Sequence, residues 1–176
     1  MKNMEFWSLD NRYGLRIFAS ELSLMLELCR KSGSFETGGV FFGKYTTAHD
    51  CAVITEILGP SDDSESGGTW FKRGIKGLKK KIDSLWINRN EYYLGEWHYH
   101  PSSEPEPSPT DKNQMQQIAE SLKYNCPEPI LVIVGGSVPN DWKIQAYVFR
   151  RSRSLIKLYV CKTAEIINPC EIKLQS

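Results

Sequence analysis

Five consecutive apolar side chains, Ile130-Leu131-Val132-Ile133-Val134, form the longest apolar run in this 176-residue chain. Such a run has the length of a strand and falls far short of the roughly 18 residues that a membrane helix needs. It reads as a continuously buried strand, so the rest of the chain must supply what buries it. Phe18, Leu22, Met25, Leu26 and Cys29 recur at helical spacing and predict an amphipathic helix over 18–30, with Gly33 as its stop. Residues 39–43 and 52–58 read as two strands joined by a polar loop through 46–50, and 60–68 as an acidic, Ser/Gly-rich loop. Ile75, Leu78, Ile82, Leu85 and Trp86 predict a second helix over 75–86. Residues 92–98 form a strand pattern that runs into a Pro-rich loop, 101–107. A third helix is predicted after Ser108, with Met115, Ile118, Ala119 and Leu122 inward. Residues 142–149 alternate as a strand, and 155–160 predict a last strand or helix. Strands and helices mix without a strict βαβ rhythm. The predicted class is therefore α/β, a mixed sheet flanked by helices, and not a doubly wound parallel sheet.

The charge balance narrows the partners. Lys and Arg number 22 against 21 Asp and Glu, for a formal net charge of +1. No global cationic field draws such a chain to nucleic acid or to an anionic membrane. The first seven residues, Met1 to Trp7, lack the apolar stretch of a secretory signal. The five cysteines, at 29, 51, 126, 161 and 170, are odd in number, scattered and without a C-x-x-C pair. They read as idle thiols in a reducing compartment, so a cytoplasmic location is expected and a disulfide framework is not.

Histidine is scarce, with only His49, His98 and His100. In a strand, residues i and i+2 point to one face, so His98 and His100 at a strand end project two imidazoles side by side. Asp111 follows just inside the predicted third helix, close enough for the loop to bring its carboxylate back. Two neutral imidazoles and one carboxylate are three ligands for Zn²⁺, with a fourth tetrahedral position left for water, the arrangement of a catalytic site. An ion so held brings the pKa of water from about 15.7 down to about 7. Hydroxide attack on an amide also needs a proton acceptor that later serves the leaving amine. Glu36, ahead of the Gly38-Gly39 pair, is the candidate.

Glu36-Thr37-Gly38-Gly39 together with His98-x-His100-Pro101, Ser108 and Asp111 resembles the JAMM motif of the JAB/MPN zinc metalloproteases. All five motif positions are filled at the family spacing, and the similarity spans about residues 15–150. The segment from Leu94 to Pro101, followed by Ser108-Pro109-Thr110-Asp111, is most similar to bacterial JAB-domain peptidases encoded in anti-phage (CBASS) operons. The resemblance implies a curved mixed sheet flanked by helices (MPN/JAB, cytidine-deaminase-like) as a single domain over 1–176, with residues 151–176 as a C-terminal extension. It implies His98, His100 and Asp111 as zinc ligands, Glu36 as general acid/base and Ser108 as hydrogen-bond donor to the developing oxyanion. The implied activity is a zinc-dependent isopeptidase that cleaves after the C-terminus of a protein joined to a target by ubiquitin-like conjugation. The implied partner is a cyclic-nucleotide-making CD-NTase enzyme with its E1/E2-like transferase. Processing of a ubiquitin-like or sulfur-carrier precursor is the alternative, and a non-catalytic MPN scaffold is another, although scaffold members usually lack a ligand.

Several residues carry competing readings. Ser108-Pro109-Thr110-Asp111 is also a helix-capping pattern, which partly commits the Ser108 hydroxyl. Strand alternation puts Glu96 on the His98 face, either supporting a metal-bound imidazole or as a plain structural carboxylate. His49 sits in a polar loop and reads as a surface residue. The run Lys72, Arg73, Lys76, Lys79, Lys80, Lys81 reads as a solvated helix face or as an electrostatic dock for an acidic partner.

Overall fold

The computed structural model describes residues 2–161. Two short strands, β1 (Met4–Trp7) and β2 (Gly14–Ile17), precede the helix α1 (Ala19–Ser32). The long strands β3 (Thr37–Tyr45) and β4 (Cys51–Leu58) follow, then a two-stranded hairpin, β5 (Glu65–Ser66) and β6 (Phe71–Lys72). Helix α2 (Leu78–Arg89) leads to β7 (Tyr92–Pro101) and helix α3 (Pro109–Glu120). The last of the described strands are β8 (Ile130–Ser137), β9 (Asp141–Val148) and β10 (Ile156–Val160). The main sheet is mixed and curls until it closes, in the order β1-β10-β9-β8-β7-β3-β4-β2, with β1 also pairing β2. β7 lies within it, antiparallel to β3 and parallel to β8.

The apolar run at 130–134 occupies β8 and explains its own composition. Ile130, Val132 and Val134 pack with Leu22, Met25, Leu26 and Cys29 of α1. Leu131 and Ile133 face the opposite side, with Leu85 of α2 and Met115 and Ile118 of α3. A strand covered on both faces needs an unbroken apolar run, because alternation would bury a polar group. β7 alternates between the same two layers. Trp97 and Tyr99 face the α1 side, which leaves Glu96, His98 and His100 on the side of α2 and α3.

Backbone approaches fix this geometry. Gly95 has φ +152°, and a Cβ there would lie 1.8 Å from the Ile130 carbonyl oxygen. The β3–β7 register shifts at this point, between Phe41 and Phe42. A Cβ on Gly39 would lie 2.0 Å from the Leu58 carbonyl oxygen. Only glycine lets the strands come this close.

The structure departs from the periodic reading in three places. Ile75, predicted inward, is exposed, because Gly77 in a left-handed conformation (φ 77°) delays the start of α2 to Leu78. Trp86 is half exposed, and Leu85 is the buried residue of that helix. Leu122 lies beyond the end of α3 at Glu120 and is exposed. The element at 155–160 is a strand, β10, and its Leu158 is fully buried in the core on the α1 side. Cys29, Cys51 and Cys126 are buried free thiols, and Cys170 lies outside the described residues. Among the described residues no helix is long and apolar enough to cross a membrane.

Candidate metal centre

The C-terminal end of β7 carries His98 and His100 on one face, both buried. The N-terminus of α3 faces them. Ser108 is its N-cap and Pro109 its first residue, with a complete capping box. The Asp111 backbone N–H donates to Ser108 Oγ (3.1 Å), and the Ser108 N–H donates back to Asp111 Oδ2 (2.7 Å). This box pins the Asp111 carboxylate in place. Oδ1 lies 2.8 Å from His98 Nδ1, and Oδ2 lies 3.5 Å from His100 Nε2.

One donor atom from each of His98, His100 and Asp111 lies within 4.8 Å of the others. Two ligands at about 2.1 Å from a tetrahedral ion stand roughly 3.4 Å apart. The His98–Asp111 and His100–Asp111 separations of 2.8 and 3.5 Å bracket that value. Two imidazoles and a carboxylate are an N,N,O set suited to a borderline divalent ion. The residues therefore fit a divalent metal.

Glu36 stands one residue before Thr37, which pairs with Tyr99 between the two histidines. The Glu36 N–H donates to the carbonyl of Gly67 (2.9 Å) at the tip of the β5–β6 hairpin. The same hairpin lays the Phe71 ring edge-on against the His98 ring, with centroids 5.7 Å apart. Phe35 and Trp70, next to Glu36 in the chain and on the hairpin respectively, are exposed.

The electrostatics separate the two carboxylates. Burial pushes the Glu36 carboxyl up and the negative charge of Asp111 adds to it, against His98, for a pKa of about 7. Burial also pushes Asp111 up, but its hydrogen bond to His98 and the contacts with Ser108 prevail and hold it at about 2. Burial pulls His98 down, but the hydrogen bond to Asp111 and the nearby carboxylate of Glu96 prevail and raise it to about 9. Burial lowers His100, which lacks such a hydrogen bond to a carboxylate.

The structure thus brings together Glu36, His98, His100, Ser108 and Asp111. His49 lies apart, exposed and stacked on Tyr45. The basic run is largely paired: Lys76 with Asp62, Lys79 with Asp83 and Lys81 with Glu56. Arg73 is the residue that the sequence reading misplaced, since it is buried against Glu96 at 2.6 Å. A run of cations gives no local sign that one of them turns inward.

The sequence profile of prokaryotic homologs of the JAB domain matches residues 18–148. A CD-NTase/cGAS isopeptidase of Enterobacter hormaechei subsp. hoffmannii is 36% identical over 158 residues, covering 90% of this chain and 87% of that protein. A CD-NTase/cGAS isopeptidase of Escherichia coli is 32% identical over 127 residues, covering 68% of this chain and 75% of that protein. A Sinorhizobium fredii protein named "Probable metalloprotease y4qB" is 28% identical over 137 residues, covering 76% and 82%. The solution structure of protein DSY2949 from Desulfitobacterium hafniense matches with a TM-score of 0.57 at 16% identity, over 79% of this chain and 86% of that one. That last likeness concerns the fold alone.

Proposed function

The chain belongs to the prokaryotic JAB-domain family, and from that premise we propose that it is a zinc-dependent isopeptidase. Its substrate is a protein, a CD-NTase enzyme whose C-terminus has been joined to a target by a ubiquitin-like conjugation system. The enzyme hydrolyses the bond after that C-terminus and so reverses the conjugation. The names of the relatives at 36% and 32% identity support this substrate. The observation that carries the chemistry is the convergence of His98, His100 and Asp111 donor atoms within 4.8 Å.

In this reading His98, His100 and Asp111 hold the ion. A bound Zn²⁺ supplies a nucleophilic water at neutral pH. Glu36 accepts the proton of the attacking water and returns it to the leaving amine. Burial and the charge of Asp111 raise its carboxyl to about 7 in the metal-free site, and burial keeps pushing it toward the operating pH, where a general acid/base works best. Asp111, held at about 2, stays ionised throughout. Ser108 donates to the oxygen that gains charge as the amide carbonyl is attacked. A hydroxyl has one donor hydrogen and two acceptor lone pairs. The cap from the Asp111 N–H uses a lone pair, and the hydrogen, which also helps to lower the Asp111 carboxyl, turns from that carboxylate to substrate.

The test measures zinc per chain and cleavage of a CD-NTase fused through its C-terminus to a reporter. The wild type should hold about one zinc and release the reporter. Asp111→Ala should lose both. A wild type that cleaves fully after its metal has been stripped would overturn the reading, and so would one that cleaves a sulfur-carrier precursor and not the CD-NTase fusion.

A further inference from the structure

Glu96 is fully buried and has no part in the chemistry above. Its Oε1 accepts from Arg73 Nε (2.6 Å) and from the Tyr93 hydroxyl (3.1 Å). Its Oε2 accepts from the Gln114 side-chain amide (2.6 Å) and lies 3.5 Å from His98 Nε2. Arg73 is itself held by the Gly74 carbonyl (3.0 Å) and the Tyr124 hydroxyl (2.8 Å). The carboxylate is therefore gripped from three elements: the segment after β6, β7 and α3. His98 Nε2 is buried and makes no hydrogen bond.

The two nitrogens of His98 face different groups. Nδ1 faces Asp111, and with it the donor cluster. A neutral imidazole carries one proton. For Nδ1 to offer a lone pair to a cation, that proton must sit on Nε2, where the facing acceptor is Glu96 Oε2. We infer that Glu96, held in place by Arg73, Gln114 and Tyr93, is the positioning residue for His98, fixing the tautomer and ring plane in which that histidine binds metal. The inference rests on the metal reading above. Carboxylates in this position typically change metal affinity by about 10–100-fold when lost. Arg73 adds a second consequence. It follows β6, so the hairpin that touches Glu36 and packs Phe71 on His98 is tied to the same carboxylate.

A purely structural ion pair would have the same burial, so the test must separate the two roles. Glu96→Gln keeps the shape but can turn an N–H toward His98 Nε2. That favours a lone pair there and moves the proton to Nδ1, the wrong tautomer for the metal. Purified protein is stripped with a chelator, its fold is checked by circular dichroism, and it is titrated with Zn²⁺ against a competing chelator and with Co²⁺ by visible absorption. The expected result is a folded Glu96→Gln protein whose Zn²⁺ affinity is weaker by about 10–100-fold, with altered Co²⁺ bands. A folded variant with wild-type affinity and unchanged bands would overturn the inference. If the single variant does not fold, because Arg73 is left uncompensated, the Arg73→Met/Glu96→Gln pair removes both charges and must show the same two changes. The zinc-loaded wild type gives a readout that needs no variant. Its His98 imidazole proton should be sheltered from exchange in ¹H–¹⁵N spectra, and a freely exchanging one would refute the role. Failure of the wild type to bind either ion would instead defeat the metal reading itself.

Discussion

Ser108 has two roles that substitution can pull apart. Its Oγ accepts from the Asp111 N–H at 3.1 Å, closing the cap of α3, and in the proposed chemistry its hydrogen goes to substrate. Ser108→Ala removes both. Loss of such a cap costs about 1 kcal/mol, which for a chain of this size lowers Tm by roughly 2–4 °C. Glycine at an N-cap costs only a few tenths of a kcal/mol, so Ser108→Gly should melt within about 1 °C of the wild type. Removal of an oxyanion donor costs about 10²–10³ in kcat. Both variants should therefore lose kcat equally and differ in Tm. The assay is calorimetry of zinc-loaded protein beside kcat for release of the reporter from the CD-NTase fusion at saturating substrate. Zinc per chain is measured on the same samples and should stay near that of the wild type. Full kcat in Ser108→Gly would remove Ser108 from the chemistry. A kcat loss that tracks zinc loss would show Ser108 acting through Asp111 instead. An unchanged Tm in Ser108→Ala would refute the energetic weight given to the cap.

Glu36→Gln should keep its zinc and lose roughly 10²–10⁴ in kcat, the range of a general acid/base, as read from metal analysis beside turnover. The stripped protein should lose stability as pH rises. His98 is raised from 6.5 to about 9, so its contribution is complete below about 6.5 and gone above about 9. Glu36, raised from 4.5 to about 7, acts in the same direction over that lower window. Zinc affinity should move the opposite way, strengthening by up to about tenfold per pH unit toward pH 9 as binding displaces the His98 proton; a flat profile in competition titrations would count against that protonation state. Gly95→Ala forces a Cβ to 1.8 Å from the Ile130 carbonyl oxygen, so in urea it should cost more than the roughly 1–3 kcal/mol of ordinary overpacking.

What the chain declared in advance was what local periodicity can carry. The i, i+2 pair His98 and His100, the Ser-Pro-x-Asp cap and the apolar run of β8 are each signals spanning a few residues, and each lies where the pattern put it. Closure of the sheet was not legible. β1 and β2 are four residues each, and a strand that short leaves little pattern. Arg73 was misread for a related reason. Its burial depends on Glu96, 23 residues away in sequence, and nothing in Lys72-Arg73-Gly74 marks it off from its solvated neighbours. Glu96 was ambiguous because strand alternation fixes its face but not its partners.

The two carboxylates of the site show how one neighbourhood can assign opposite roles. Asp111 receives an N–H from Ser108 and a ring nitrogen from His98, contacts that favour the charged form, and it is held at about 2. Glu36 meets burial and the charge of Asp111, which disfavour the charged form, and it rises to about 7. The first is suited to holding a cation at any physiological pH, the second to exchanging a proton within it. Their difference also has a direction of dependence, since part of the shift on Glu36 comes from the charge on Asp111. A bound cation would neutralise much of that charge and bring Glu36 down. The acid limb of the kcat/KM profile should then fall below the pKa of about 7 that Glu36 has in the metal-free site. An acid limb that stayed at that value in the zinc-loaded enzyme would show that Glu36 does not sense the ion, and would leave its placement as the proton carrier without electrostatic support.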